Sequence, residues 1–429
     1  MNVYDSDSIG RILLSQGYEQ GQSIDDAQII IINTCAVRKK AEEKALTYIG
    51  RLSSLKRKRP DIIVGVVGCV AQEKGRSLFQ RFPYLDLVLG PRNIHYVDKY
   101  LSRIKREGEG ICEVDMNTMP AFLPGCNGYV NERVTSFLKI MEGCDNFCTY
   151  CIVPYVRGRE TSLPPDAIID EATRLVRNGV KEVTLVGQNV NSYNREGACS
   201  SRFPDLLRAL DSIKGLERIR FTTSHPKDLS DELIDCFKEL KGLCPHIHLP
   251  IQAGCNKILQ LMNRGYTKDT YIGLIDKLRS ARPDIAITSD MMVGFPGETE
   301  EDFQESLKLI ENIQFDNLFS FRYSERPGTK ALQFPGKVEE GEKQRRLFAL
   351  QERQKVITFR RNRLLEGTIQ EVLVEGFGKR RANQFTGRTP HNKVVNFSTH
   401  EDLKGQIVRI RILDGLQNSL RGELMDKPV

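Results

Sequence analysis

Cys144-Asp145-Asn146-Phe147-Cys148-Thr149-Tyr150-Cys151 places three cysteines on one short stretch. Three thiolates so close together suit an iron–sulfur cluster, in which each iron takes one thiolate. A 4Fe–4S cluster held this way keeps one iron free of protein, and that iron can chelate an amino and a carboxylate group of a small molecule. Two other readings stay open at this point. Zinc would need a fourth ligand, and no second Cys/His pair sits at finger-like spacing. A cluster for electron transfer alone would need a fourth thiolate, which is not evident.

The elements around this stretch must hold it in place. From Arg133 onward, strand candidates at 134–140, 182–187, 217–221, 245–249, 284–290 and 316–322 alternate with helical stretches. Six such β/α units predict a partial TIM-like barrel, with the cysteines on the loop at the carboxyl end of its first strand, where barrel active sites lie. Ahead of it, a helix over 5–17, the apolar run Ile29-Ile30-Ile31-Ile32, a charged helix over 37–59, the run 62–67 and Leu87-Val88-Leu89 predict a small open parallel sheet. Cys35 and Cys69 follow two of its strands, where ligands of such sheets sit. Residues 106–130 read as a linker. A basic helix over 338–365 and short strands at 369–374, 394–397 and 407–412 predict a small C-terminal β-barrel. The fold class is α/β.

The chain has 429 residues, enough for two or three domains. No apolar run approaches the length of a membrane span and Met1 to Gly10 carry no signal-peptide pattern, so a cytoplasmic protein is expected. The formal charge of +7 is compatible with a polyanionic partner. The 11 cysteines are unevenly spaced, which points to metal ligands or buried thiols rather than disulfides.

The Cys-x3-Cys-x2-Cys stretch on a β/α barrel resembles the radical S-adenosylmethionine (SAM) superfamily. Its surroundings narrow the resemblance to the methylthiotransferase family. They include Cys151-Ile152-Val153-Pro154-Tyr155-Val156-Arg157-Gly158-Arg159-Glu160, Gly187 to Tyr193, Thr223-Ser224-His225-Pro226, His248 to Gly254, Met262 to Tyr266, Val293 to Thr299 and Tyr323 to Thr329. The resemblance spans essentially the whole chain. It implies domains at 1–110 (a methylthiotransferase domain with an auxiliary cluster), 130–362 (radical SAM) and 363–429 (TRAM-like, RNA-binding).

It also implies two 4Fe–4S clusters. Cys144, Cys148 and Cys151 would hold the one that cleaves SAM. Cys35 and Cys69 match two of three ligands of the auxiliary one. The third should lie in a Gly-Cys-Gln-Met-Asn stretch just before Met1-Asn2-Val3-Tyr4, so the sequence is expected to be trimmed there. In the family one SAM methylates a cluster-attached sulfur, a second yields a 5′-deoxyadenosyl radical, and the two clusters share one cavity. SAM contacts are expected from Tyr150, Gly187, Gln188, Ser224, Gln252 and Arg264, the last suited to a carboxylate. Cys112, Cys126, Cys199, Cys236, Cys244 and Cys255 lack ligand spacing and are expected to be structural.

The implied activity is transfer of a methylthio group to C2 of N6-isopentenyladenosine at position 37 of tRNA. The partners would be the tRNA anticodon stem–loop, SAM and an electron donor such as flavodoxin or ferredoxin, with the enzyme a monomer. Three basic stretches support RNA binding: Arg51 with Lys56 to Arg59, the helix before the C-terminal barrel, and Lys379-Arg380-Arg381 within it. Relatives acting on threonylcarbamoyladenosine or on a ribosomal-protein aspartate remain alternatives, as does a non-catalytic iron–sulfur RNA-binding protein.

Overall fold

In the computed structural model, which describes residues 1–37, 39–117, 133–195, 201–378 and 384–426, the isoleucine run opens a four-stranded parallel sheet. Helix α1 (Asn2–Ser15) precedes β1 (Ile29–Thr34), then follow α2 (Lys39–Lys58), β2 (Ile63–Gly68), α3 (Cys69–Lys74), α4 (Ser77–Arg81), β3 (Leu87–Leu89), α5 (Val97–Glu107) and β4 (Ile111–Glu113). The strand order is β1-β2-β3-β4, all parallel. β2 is buried along its whole length. Val64 and Val66 pack into one core with Ile49 and Leu52 of α2, whereas Ile63 and Val67 face Ile9 and Ile12 of α1 and Leu101 of α5. A strand covered on both faces needs apolar residues throughout, hence the unbroken run. The expected linker over 106–130 is corrected in part: Ile111–Glu113 is a strand, too short to register as a pattern, and 118–132 lie outside the described residues.

The chain continues through β5 (Thr135–Lys139), β6 (Met141–Glu142), α6 (Val153–Arg157), β7 (Thr161–Ser162), α7 (Pro165–Arg177), β8 (Glu182–Val186), α8 (Phe203–Asp211), β9 (Arg218–Phe221), α9 (Asp231–Glu239), β10 (His246–His248), α10 (Asn256–Leu261), α11 (Lys268–Ala281), β11 (Ala286–Val293), α12 (Glu300–Ile313), β12 (Asn317–Arg322) and α13 (Glu340–Arg363). All six expected barrel strands form. They build two parallel sheets, β5-β8-β9 and β10-β11-β12, linked by a parallel bridge between Ile219 and Leu243. Val183, Leu185, Ile219 and Phe221 are buried on one face, with Phe203 of α8 edge-on to Phe221 and Phe237 of α9 tilted against it. The alternating residues Glu182, Arg218 and Arg220 share the other face, as the two-residue period of a strand requires.

β13 (Ile369–Phe377), β14 (Gln384–Arg388), β15 (Val394–Ser398), β16 (Ile407–Gly415) and β17 (Leu420–Asp426) close a barrel in the order β13-β14-β15-β17-β16. Phe385 and Phe397 stack in its core beside Val395, Val408 and Ile410. The turn after β14 is gripped by the face of β9. Arg218 donates to the Arg388 carbonyl at 2.7 Å, and Arg220 to the Thr389 and Pro390 carbonyls at 2.8 and 2.7 Å. Lys393 reaches Asp316 at 2.9 Å, and Arg361 pairs with the same carboxylate.

By compactness the chain falls into two units. The described parts of the N-terminal region group with Met141–Ala167 and Arg326–Thr329, and the remaining described residues form the second unit. Among the described residues no helix is long and apolar enough to cross a membrane.

Candidate metal centre and strand-end site

Within the first unit, the cysteine loop is closed at its base. β6 and β7 pair antiparallel, Glu142 opposite Thr161, and the Cys144 amide donates to the Gly158 carbonyl at 3.2 Å. Gly143 has φ +84°, and a Cβ there would stand 2.1 Å from the Arg159 carbonyl oxygen, so only glycine permits the crossing. Phe147, between the first two cysteines, is held at φ +45°, with Arg159 over its ring at 5.3 Å. A bulky residue in that region is strained, and such strain gathers at functional sites. The Cys151 amide donates to the Cys148 carbonyl at 2.9 Å, which closes a backbone turn between the last two cysteines. Burial pushes the Cys144 thiol up to about 11, with the neighbouring Cys148 adding to it and the Asn146 amide opposing.

Cys35 and Cys69 leave paired strands at the same level, because Thr34 of β1 is in register with Gly68 of β2. The Thr34 hydroxyl donates to the Val67 carbonyl at 2.6 Å and accepts from the Val70 amide at 3.3 Å, fixing both strand ends. Gly68 has φ +94°, and a Cβ would meet the Thr34 carbonyl oxygen at 2.5 Å. Ile152 and Val156, immediately after the cysteine loop, belong to the same core as Cys69, Val70 and Ala36. The two groups of cysteines therefore share one packed unit.

Arg157 ties them together. Its guanidinium donates to Asp5 at 2.7 Å and to Glu142 at 3.0 Å, with all three side chains 2–3% exposed. Its charge also acts on the Cys69 thiol, which starts α3 in the same core. Burial pushes the Cys69 thiol up, and Arg157 pulls it back down. The two carboxylates hold Arg157 protonated despite its burial. A second buried pair joins Arg326 to Glu42 of α2 at 2.7 Å, with Lys74 on the same carboxylate.

Among the described residues no three His, Cys, Asp or Glu side chains converge on a point that would hold a single ion. A cluster spreads its thiolates over separate irons, and soft thiolate donors on two strand ends and a tight loop fit iron–sulfur chemistry.

The second unit carries polar groups at the carboxyl ends of its strands. The Val190 amide after β8 donates to the Thr223 carbonyl after β9, and Asn191 and His225 exchange hydrogen bonds at 2.9 Å. Thr223 and Gln252 sit at φ +71° and +74°, an outlying conformation for a β-branched threonine. Ser224 Oγ, Asn189 Oδ1 and His225 Nε2 are buried with no hydrogen-bond partner. Each such orphan costs about 1–3 kcal/mol, and three together at strand ends fit a polar ligand such as SAM. Burial pushes the His225 imidazole down to about 2, with Arg264 and Lys227 adding to it, so it is neutral. Gly187 and Gln188 directly follow β8, and Tyr150 lies half-buried in the cysteine loop of the first unit. Arg264 is buried, with Nη2 on the Pro250 carbonyl at 2.8 Å and Nε on the Tyr266 hydroxyl at 2.9 Å. These donors brace the turn that bears Gln252.

Of the other cysteines, Cys236, Cys244 and Cys255 are buried and Cys112 lies in β4. Cys126 and Cys199 lie outside the described residues, as does Lys379-Arg380-Arg381. The basic residues of α13 are largely neutralised: Lys343 pairs with Glu340, Arg345 with Glu342 and Glu300, Arg346 with Glu298, Arg353 with Glu311, and Lys355 with Glu352. Lys56 likewise turns inward to Asp86. These two stretches are weaker evidence for an RNA surface than their composition suggests.

Family models match the chain over three segments: an uncharacterised protein family, UPF0004, over 1–90, the radical SAM superfamily over 138–310, and the TRAM domain over 363–425. A tRNA-2-methylthio-N(6)-dimethylallyladenosine synthase of Syntrophus aciditrophicus (strain SB) is 49% identical, covering 100% of this chain and 93% of that protein. The protein of the same name from Geotalea uraniireducens (strain Rf4) is 50% identical over 99% of this chain and 96% of its own length. The chain belongs to the tRNA-2-methylthio-N(6)-dimethylallyladenosine synthase family.

Among solved structures, the radical SAM methyltransferase TsrM from Kitasatospora setae, with cobalamin and a [4Fe-4S] cluster bound, matches with a TM-score of 0.58 at 14% identity. The match covers 77% of this chain and 74% of that one, a likeness of fold. Within the synthase family's motifs, Arg157, Asn189 and Asp5 were not singled out by their types. Asp5 carried a usable signal: with Ile9 and Ile12 it shares one face of α1, a charge on an apolar stripe.

Proposed function

We propose that the chain is a radical SAM methylthiotransferase that modifies C2 of N6-isopentenyladenosine at position 37 of tRNA. The observation that carries this reading is the Cys144, Cys148, Cys151 triplet on its closed loop, in a chain that is 44–50% identical over nearly its whole length to proteins bearing the synthase name. Cys144, Cys148 and Cys151 hold one 4Fe–4S cluster, and Cys35 and Cys69 supply thiolates to a second. A bound cluster with an open iron supplies the electron that cleaves SAM to a 5′-deoxyadenosyl radical.

The chain's own residues hold and orient. Ser224 and Asn189 offer their orphan oxygens to SAM, neutral His225 adds a nitrogen, and Gly187 and Gln188 bring backbone close to the ligand. Tyr150 meets the adenine, and Gln252 presents its side chain from a strained turn that Arg264 braces. The TRAM barrel presents strand faces to the anticodon stem–loop. The enzyme is a cytoplasmic monomer that takes its electrons from a flavodoxin or ferredoxin.

The test is anaerobic reconstitution followed by incubation with SAM, reductant and a stem–loop bearing N6-isopentenyladenosine. Methylthiolated product and 5′-deoxyadenosine are expected. Product from a threonylcarbamoylated stem–loop instead would transfer the reading to the sister activity. SAM left intact would leave a non-catalytic iron–sulfur protein.

A further inference from the structure

We propose that Arg157 is the positioning residue that registers the Cys35/Cys69 pair against the Cys144–Cys151 loop and hydrogen-bonds the sulfur of Cys69 when that cysteine ligates a cluster. The inference rests on the reading that Cys35 and Cys69 hold an iron–sulfur group.

Four segments meet at this guanidinium: α1 through Asp5, β6 through Glu142, the start of α3 through Cys69, and α6, which carries Arg157 itself. Asp5 lies 152 residues away in sequence. The planar guanidinium offers five donors in a fixed fork. Nη2 takes Asp5 and Nη1 takes Glu142, and the same charge acts on the Cys69 sulfur. A lysine could satisfy the charge, but its donors sit on one compact nitrogen and lack the wide planar fork that spans these partners.

Arg157 is five residues beyond Ile152 and six beyond Cys151, on the first helix after the loop. Any shift of the loop therefore moves the donor that faces Cys69. The arrangement is also dry, with Asp5 and Glu142 2–3% exposed and Cys69 4% exposed. A hydrogen bond to a cluster sulfur in such a place acts on the potential of that cluster, because hydrogen bonds to the sulfurs and solvent exposure are what tune it.

The experiment compares the full-length chain with Arg157→Lys, Arg157→Gln and Glu142→Gln, each reconstituted anaerobically. Readouts are iron per chain, the EPR spectrum of the reduced protein, the midpoint potentials, and the melting temperature of the apo form. In Arg157→Gln the signal abolished by Cys35→Ala and Cys69→Ala is expected to disappear, with iron falling by roughly half. The signal abolished by Cys144→Ala should persist. Arg157→Lys should keep its iron but show a shifted potential for the Cys69-linked signal alone.

Glu142→Gln leaves the sulfur contact in place, so it should lower the melting temperature without moving that potential. Variants whose potentials and spectra match the parent would overturn the proposal, even if melting falls. If Arg157→Gln does not fold, the Arg157→Lys potential decides. A parent chain with no signal sensitive to Cys35→Ala or Cys69→Ala would instead overturn the underlying reading of those cysteines, and the inference with it.

Discussion

Arg157 donates to Asp5 at 2.7 Å across two segments that the sequence separates by 152 residues, with both side chains 3% exposed. Breaking a buried pair from one side leaves the other charge uncompensated, which costs about 3–5 kcal/mol. Arg157→Met strands Asp5 and Glu142 together, so it should lower the unfolding free energy of the apo protein by at least that amount. Adding Asp5→Asn to Arg157→Met should recover part of the loss, because one of the two stranded carboxylates is gone. A double variant no more stable than Arg157→Met would contradict this account.

Gly68 permits Cys35 and Cys69 to leave their strands at one level. Gly68→Ala brings a Cβ to 2.5 Å from the Thr34 carbonyl oxygen at φ +94°. The expected cost is about 3 kcal/mol in stability, from strain of that kind. Iron associated with Cys35 and Cys69 should fall, while that held by Cys144, Cys148 and Cys151 stays. Iron quantitation alongside thermal melting checks both.

Much of this was legible in advance. The triplet Cys144, Cys148, Cys151 points to thiolate ligands by its spacing, and the family motifs around it narrow that to SAM chemistry; the six barrel strands stand out as short segments with apolar or alternating apolar residues between helical stretches. β4 escaped because three residues with one core-facing side chain make no pattern. The Arg157 network escaped for another reason: Asp5, Glu142 and Arg157 are ordinary charged residues until folding removes their water. The basic helix α13 misled in the opposite direction, since its density of arginine is matched by glutamates one turn away and on α12.

The orphan hydroxyl of Ser224 makes a clean probe. Ser224→Ala removes a buried group that has no partner in the free protein, so apo stability should hold or rise slightly. Affinity for SAM should drop about tenfold, the worth of one hydrogen bond. Isothermal titration with SAM and denaturant melts of the same samples separate the two effects. Equal loss in both would mean the hydroxyl serves the fold.

Acid should weaken the second unit through His246. Burial pushes its imidazole down to about 3, with the Arg220 charge next in effect. The unfolded chain binds the proton near 6.5 and the folded chain does not, so stability is full above that pH and falls as pH drops toward 3. From pH 7 to 5 the loss is on the order of 2 kcal/mol from this residue. Urea midpoints at the two pH values, compared with His246→Gln, should show a shallower decline in the variant.

The grip of β9 on the turn after β14 also reaches the site itself. Arg220 holds Thr389 and Pro390, and Ser224 stands only four residues further along the same chain, a span of no more than about 14 Å. The C-terminal barrel and the strand-end site are thus two marks on one ruler. In the proposed complex the RNA would be measured as well as bound: a stem–loop that seats on the barrel either delivers its base at that fixed reach or goes unmodified, whatever its sequence.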